Sequence, residues 1–372
     1  MTGPLAGLRV IEFAGIGPGP YACLLLAELG ADVVRIDRPD AGGLDAPVLR
    51  RSRPSLAVDL KSAEGIETVL RLIDSADVVV EGLRPGVMER LGLGPEACMG
   101  RNPRLIYGRM TGWGQTGPLA DRAGHDITYA ALTGALHATG SADKPRNAVN
   151  LVADFGGGTL FLVMGILAAV FERGVSGRGQ VIDAAMVDGA ASLMTMVYGM
   201  KADGLWQDRR ESNLLDGGAP FYDTYECADG RHVAVGALEH RFYAELMAGT
   251  GLDFEQYDVG RWGQMRTALA EAFKTRTRDE WAARFEGTDA CVAPVLSLEE
   301  APLHPHNLAR GIFAPYHAGH APRVAPVFSR TPTRAPGEVH EAGQDTRAVL
   351  GAAGFTDAEI DALVASGAVV QG

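Results

Sequence analysis

Short apolar runs alternate with stretches of helical length over the first 110 residues. Residues 8–14 read as a buried strand, and a Gly/Pro turn follows at 15–20. Residues 21–29 are helical in composition and close on Gly30; residues 31–37 then read as a second strand. Strand, helix, strand implies parallel pairing through a right-handed crossover. The alternation continues with a strand at 55–60. Ser62 is an N-cap candidate with Glu64 in the first turn, and Ile66, Val69, Leu70 and Ile73 recur at helical spacing. Strands at 77–81 and 105–109 flank a short helix at 88–91. Repeated βα units of this kind predict an open α/β domain.

Residues 160–171 form an apolar run without charge, ended by Glu172, Arg173 and Gly174. It is too short to span a bilayer, so a buried helix is expected. Asp154 is placed as its N-cap, and Gly156, Gly157 and Gly158 leave room for a backbone or ligand to come close. A strand at 180–186 and a helix at 187–200 follow. Periodicity fades near Trp206. From residue 219 the character changes to a hairpin, 222–227 and 232–236, with an Asp229-Gly230 turn. Helices at 241–248, 265–273 and 279–285 and a short strand at 291–295 complete this part. Residues 302–336 are rich in Pro and His and irregular. Helices at 345–350 and 357–366 close the chain, the second opened by a Thr356/Glu359 capping box. The organisation expected is a large α/β domain over 1–200, a linker over 201–218, a smaller α+β domain over 219–298, and a return linker with C-terminal helices over 299–372 that pack on the large domain.

The 372 residues are 47% hydrophobic, ample for two cores. A net charge of −12 argues against nucleic acid as a partner. Cys23, Cys98, Cys227 and Cys291 lack CxxC spacing, so neither a disulfide framework nor a metal site is expected. His304 and His306 flank Pro305 without further ligands. The stretch from Met1 to Leu5 has no basic or long apolar leader. A soluble cytoplasmic protein without a membrane span is the expectation.

Glycines in the 15–20 turn, with Asp37 ending the second strand, invite a dinucleotide reading. The third glycine is missing, and Pro18 and Pro20 lack N–H groups that a pyrophosphate would use. Arg38 is better placed for a phosphate. The chemistry is expected where His125 and Asp154 meet beside helix N-terminal amides, a combination suited to moving protons next to a developing oxyanion. Asp126 is a competing base and a candidate structural acceptor. Taken singly, each residue has a plainer reading. His125 would be a loop histidine, Asp154 only a cap worth about 1 kcal/mol, Glu239 a surface carboxylate, and Trp113 a packing residue.

The motifs together resemble a known family. Residues 8–12, Gly17-Pro18, residues 31–37, Ala57-Val58-Asp59-Leu60-Lys61, Leu83-Arg84-Pro85-Gly86, the 112–118 loop and Gly343-Gln344-Asp345-Thr346-Arg347 resemble the class III CoA-transferase superfamily over nearly the whole chain. Gly124-His125-Asp126-Ile127 with Asp154-Phe155-Gly156-Gly157 looks like the branch that racemises α-methylacyl-CoA thioesters. The resemblance implies a Rossmann-like open parallel-sheet large domain, a smaller α+β domain and an interlocked homodimer. It also implies 1,1-proton transfer through an enolate, with no metal and no cofactor beyond the CoA of the substrate, in fatty acid metabolism. His125 and Asp154 would be the acid/base pair and Glu239 the partner that orients the histidine. CoA would lie on Arg38, Ala57, Asp59, Leu60, Lys61, Gly82, Leu83, Arg84, Arg90, Gly124, Asp126, Tyr129, Phe155, Gly156 and Gly157. The alternative is a CoA-transferase with Asp154 as nucleophile; His125, which such an enzyme would not need, discriminates between them.

Overall fold

The computed structural model describes residues 3–39 and 46–372. Met1 and Thr2, part of the stretch read for a leader, lie outside the described residues. The chain divides into two compact units: residues 1–135, 148–194 and 321–372 form one, and residues 136–147 and 195–320 form the other.

The first unit is built on a seven-stranded sheet. Its strands are β1 (Arg9–Phe13), β2 (Asp32–Asp37), β3 (Ser55–Val58), β4 (Val78–Glu81), β5 (Ile106–Thr111), β6 (Val181–Ala185) and a short C-terminal strand, Val369–Val370. The order is Val369–Val370, β3, β2, β1, β4, β5, β6. Pairing is parallel throughout except where the C-terminal strand runs antiparallel to β3. Strands β3, β4 and β5 are buried at every position, because helices cover both faces of a parallel sheet. The helices of this unit are α1 (Pro18–Glu28), α2 (Ala63–Ile73), α3 (Val87–Arg90), α4 (Pro95–Arg101) and α5 (Asp126–Leu132). Ser62 caps α2 as expected, its Oγ accepting the Gly65 N–H at 3.0 Å; α4 was not anticipated.

The chain winds outward from β1 through β2 to β3, then crosses back to place β4 on the other side of β1. Connections therefore leave β1 and β4 in opposite directions, and a crevice opens beyond their C-terminal ends. Open α/β sheets bind ligands at such a switch point.

A four-residue helix, α6 (Ala135–Ala138), crosses the boundary of the units. Next come a π-helix, Leu151–Thr159, and α7 (Leu160–Ser176), continuous as one helical run of 26 residues. This corrects the expected short helix: the run is long and apolar enough to cross a membrane. Its packing places it in the helical layer instead. Leu162 and Ile166 lie on the sheet, where a methyl on Gly108 of β5 would stand 3.0 Å from Leu162. The other face is exposed at Leu160, Met164, Phe171 and Val175, so the helix is only half buried. The expected 187–200 helix is two pieces, α8 (Met186–Leu193) and α9 (Thr195–Ala202).

The second unit holds the expected hairpin. Strands β7 (Tyr222–Glu226), β8 (His232–Gly236) and β9 (Val292–Pro294) pair antiparallel, with α10 (His240–Thr250), α11 (Trp262–Phe273) and α12 (Arg278–Phe285) beside them. Phe221, Tyr243, Phe273 and Trp281 are the large members of its core. The 302–336 stretch is less irregular than expected, since it includes α13 (Pro305–Arg310).

The C-terminal segment of the first unit, with α14 (Thr346–Ala352) and α15 (Asp357–Ser366), is fastened to β3. Ser55 donates its N–H to Asp345 at 2.9 Å, and Gly343 donates its N–H to the Ser55 hydroxyl at 2.9 Å. Thr356 and Glu359 form the expected capping box.

Candidate active site

The C-terminal ends of β1, β4 and β5 open into a cavity of about 460 Å³. Phe13 and Ile16 line it from β1, Gly82, Leu83 and Arg84 from β4, and Thr111, Gly112 and Trp113 from β5. Arg122, Gly124, His125 and Tyr129 close it from the α5 side.

His125 is the N-cap residue of α5. The Thr128 hydroxyl accepts the His125 N–H at 2.9 Å and donates to its carbonyl at 2.7 Å. The backbone is thus fixed while the side chain stays exposed at the cavity wall. Asp126, the next residue, turns inward and is buried. Its Oδ2 accepts the N–H groups of Ala153 at 2.8 Å and of Asp154 at 2.9 Å. This clamp joins the start of α5 to the π-helix that carries Asp154.

Asp154 is not the N-cap that the sequence implied. It lies inside the π-helix, whose cap position is Asn150. The carboxylate stands beside the β1–α1 turn, since a methyl on Gly17 would be 4.0 Å from its Oδ2. Ile16 and Pro18 of that turn line the cavity, whereas Asp154 itself is not among the lining residues. Burial pushes the Asp154 carboxyl above the usual carboxylate range, and the charge of Asp126 adds to this. A hydrogen bond from Asn150 and the charge of His125 pull the other way without reversing the shift.

The helix amides are not free to act as oxyanion donors. Asp126 takes two of them. The i→i+5 pattern of the π-helix engages those further on, from Phe155 N–H to Asn150 at 3.3 Å through Leu160 N–H to Phe155. The glycines serve packing rather than ligand approach. A methyl on Gly157 would stand 2.5 Å from the Ala190 nitrogen, and one on Gly189 would stand 1.8 Å from the Gly157 oxygen. Phe155 packs on Tyr21, ring centroids 4.8 Å apart.

Tyr129 is buried and meets Trp113 edge-on at 4.7 Å. Its phenol is pushed up to about 12, by burial first and then by the charge of Asp154. Methyl groups on Gly112 or Gly124 would stand 2.2 Å and 2.5 Å from the Tyr129 ring, so only glycine leaves space for it.

The expected CoA residues fall into three groups. Gly82, Leu83, Arg84, Gly124 and Tyr129 line the cavity. Arg38, Asp59 and Lys61 follow the ends of β2 and β3, with the Lys61 N–H held by Asp59 at 3.0 Å. Arg38, Lys61 and Arg84 are all exposed. In strand order these cations follow β3, β2 and, beyond β1, β4, a row at the C-terminal ends of the sheet. Arg90 is exposed on α3. The structure does not bring the rest to the cavity wall. Ala57 is buried in β3, Leu60 packs on the core, and Asp126, Phe155, Gly156 and Gly157 serve the helix contacts described above. Glu239 is the exposed N-cap of α10 in the other unit.

Sequence reasoning passed over Glu81 and Arg122. Glu81 is buried at the cavity wall, where its carboxylate accepts the Leu83 N–H at 2.8 Å and Arg109 at 2.9 Å. Burial raises its carboxyl despite these partners. Its position at the last residue of a parallel strand was the available signal. Among the described residues no cluster of three or more His, Cys, Asp or Glu is placed to hold a metal.

Residues 5–346 match CoA-transferase family III. The chain is 46% identical over 364 residues to the α-methylacyl-CoA racemase of Mus musculus, covering 96% of this chain and 95% of that one. It is 44% identical over 364 residues to the racemase of the same name from Homo sapiens, with the same coverage. A crystal structure of a CaiB/BaiF family protein from Brucella suis superposes with a TM-score of 0.83 at 26% identity, over 95% of this chain and 100% of that one.

Proposed function

The chain belongs to CoA-transferase family III, and we propose that it interconverts the (R) and (S) forms of a 2-methylacyl-CoA thioester. The observation that carries the racemase reading over a transferase is His125 at the wall of a switch-point cavity, with Asp154 beside the β1–α1 turn that lines the same cavity. Inverting a carbon centre needs a base on one face and an acid on the other. An aspartyl nucleophile would need no histidine.

His125 and Asp154 exchange those roles with the direction of reaction. One removes the α-proton, giving an enolate, and the other delivers a proton to the opposite face. A carboxyl raised by burial and by the charge of Asp126 holds a proton more readily than a free carboxylate, which suits a group that must both take and return one. The exposed row of Arg38, Lys61 and Arg84 would meet the phosphates of CoA at the C-terminal ends of the sheet. No resident cofactor enters this scheme.

We place the protein in the cytoplasm, in fatty acid metabolism, as a homodimer in which Glu239 of one protomer orients His125 of the other. The exposed apolar stripe of α7, with Phe171 80% and Val175 83% accessible, supports a covered face.

Solvent exchange tests the reading. A 2-methylacyl-CoA incubated in D₂O with the enzyme and no acceptor acid should gain α-deuterium and lose its optical purity. No exchange, with an aspartyl adduct trapped at Asp154, would assign the chain to the transferase reaction.

A further inference from the structure

Glu81 is a buried carboxylate that the proton-transfer scheme does not use. It is 1% exposed at the last position of β4, a strand that otherwise reads Val78, Val79 and Val80. A charge buried there is costly unless its partners offset the desolvation. Its two oxygens have separate partners. Oε1 accepts the Nε–H of Arg109, the residue facing it on β5, at 2.9 Å, and Oε2 accepts the Leu83 N–H at 2.8 Å.

Arg109 carries the link onward. Its Nη1 donates to Glu89 of α3 at 2.8 Å. Glu89 is itself confined, since a methyl on Gly94 would stand 2.9 Å from its Cγ. The turn from Gly82 to Gly86 is therefore tied to one ion pair at both ends, by the Leu83 N–H at its start and by α3 at its finish. Gly86 closes the turn at a φ of 80°, in the left-handed region that favours glycine. Within the turn the Leu83 side chain packs on the core, while Arg84 is exposed and lines the cavity.

We propose that Glu81 is a positioning residue: with Arg109 and Glu89 it fixes the 82–86 turn so that Arg84 meets a phosphate of the bound CoA. This role rests on the acyl-CoA reading above. It requires a carboxylate, because two donors converge on the group. In Glu81→Gln the amide oxygen serves only one of them, and the amide nitrogen faces the other, donor against donor. The charged Arg109 takes the oxygen, and the Leu83 N–H is released.

Calorimetric binding of free CoA to the intact chain tests this in wild type, Glu81→Gln, Arg84→Ala and the double variant. Glu81→Gln should weaken CoA about tenfold, the scale of a lost charge-assisted contact, and should raise KM more than it lowers kcat. Arg84→Ala should weaken CoA to a similar extent. The double variant should bind no more weakly than Arg84→Ala alone, because Glu81 acts through Arg84. A purely structural Glu81 would lower the melting temperature and leave CoA affinity unchanged, which overturns the proposal. Effects of the two substitutions that multiply also overturn it, since Glu81 would then act independently of Arg84. Should Glu81→Gln not fold, Glu89→Gln, whose side chain is 45% exposed, loosens the same bracket from its outer end and enters the same cycle. Wild type that binds no CoA would remove the acyl-CoA reading itself, and this role with it.

Discussion

Asp126 acts on Asp154 in two ways at once. Its Oδ2 accepts the Asp154 N–H at 2.9 Å, and its charge pushes the Asp154 carboxyl upward beyond what burial alone does. Replacing Asp126 by Asn separates the two effects. The amide oxygen still accepts backbone N–H groups, while the charge is gone. The Asp154 carboxyl should then titrate lower, and the acidic limb of kcat/KM in the direction where Asp154 is the base should move to lower pH. Asp126→Ala instead orphans the N–H groups of Ala153 and Asp154 and should cost about 1–3 kcal/mol of stability. A pH profile identical in wild type and Asp126→Asn would remove the electrostatic role.

A raised carboxyl also has a sign in stability. The folded state of the wild type disfavours the charged form of Asp154, so this group contributes most at low pH, below the unfolded value of about 4. That contribution is lost as pH rises through the raised folded value. Asp154→Asn should therefore melt above wild type near pH 7–8, with the gap closing on acidification, while turnover falls. Such gains at the expense of activity are common at catalytic positions. A lower melting temperature for the variant across the whole range would contradict the argument.

Gly157 and Gly189 bring the π-helix and α8 into backbone contact. Gly157→Ala puts a methyl 2.5 Å from the Ala190 nitrogen, with backbone rather than a pliable side chain in the way. Overpacking of this kind costs about 1–3 kcal/mol. The displaced helix also carries Asp154, so turnover should fall more than affinity. Chemical denaturation and steady-state kinetics on the same preparation check both parts.

The doubly wound sheet was legible because parallel strands buried on both faces leave unbroken apolar runs, as at Val78, Val79 and Val80. The candidate site was legible only as residue types. Asp154 looked like a helix cap because Asp before glycines and an apolar run has that appearance. The π-helix that encloses it depends on contacts with α8, and no local signal in the chain announces them. Similarly, Gly112 and Gly124 read as loop glycines, although their role is to admit the Tyr129 ring. Buried polar partners such as Glu81 with Arg109 join distant parts of the chain and have no local signature at all.

The cation row should separate binding from chemistry. Arg38→Ala, Lys61→Ala and Arg84→Ala remove charge beyond the ends of β2, β3 and β4; Arg38 and Lys61 lie outside the cavity lining that holds His125, whereas Arg84 is part of it. Each that touches a phosphate should raise KM by ~10-fold with kcat retained, because a contact made equally in ground and transition states is lost. The effect should shrink as salt rises. Substitutions at His125 should show the opposite split.

Finally, two bases on opposite faces predict an asymmetry that one base cannot produce. Asp154→Asn keeps His125, and His125→Ala keeps Asp154, so each variant retains a group able to remove the α-proton from one enantiomer only. Inversion should fall by ~10²-fold or more in both, the usual scale for a lost general acid or base. Exchange of α-hydrogen with D₂O should survive in part, and it should survive for opposite substrate enantiomers in the two variants. Mass spectrometry of each enantiomer after incubation with each variant reads this directly. If both variants exchanged the same enantiomer, His125 and Asp154 would lie on one face of the substrate and the two-base assignment would fail.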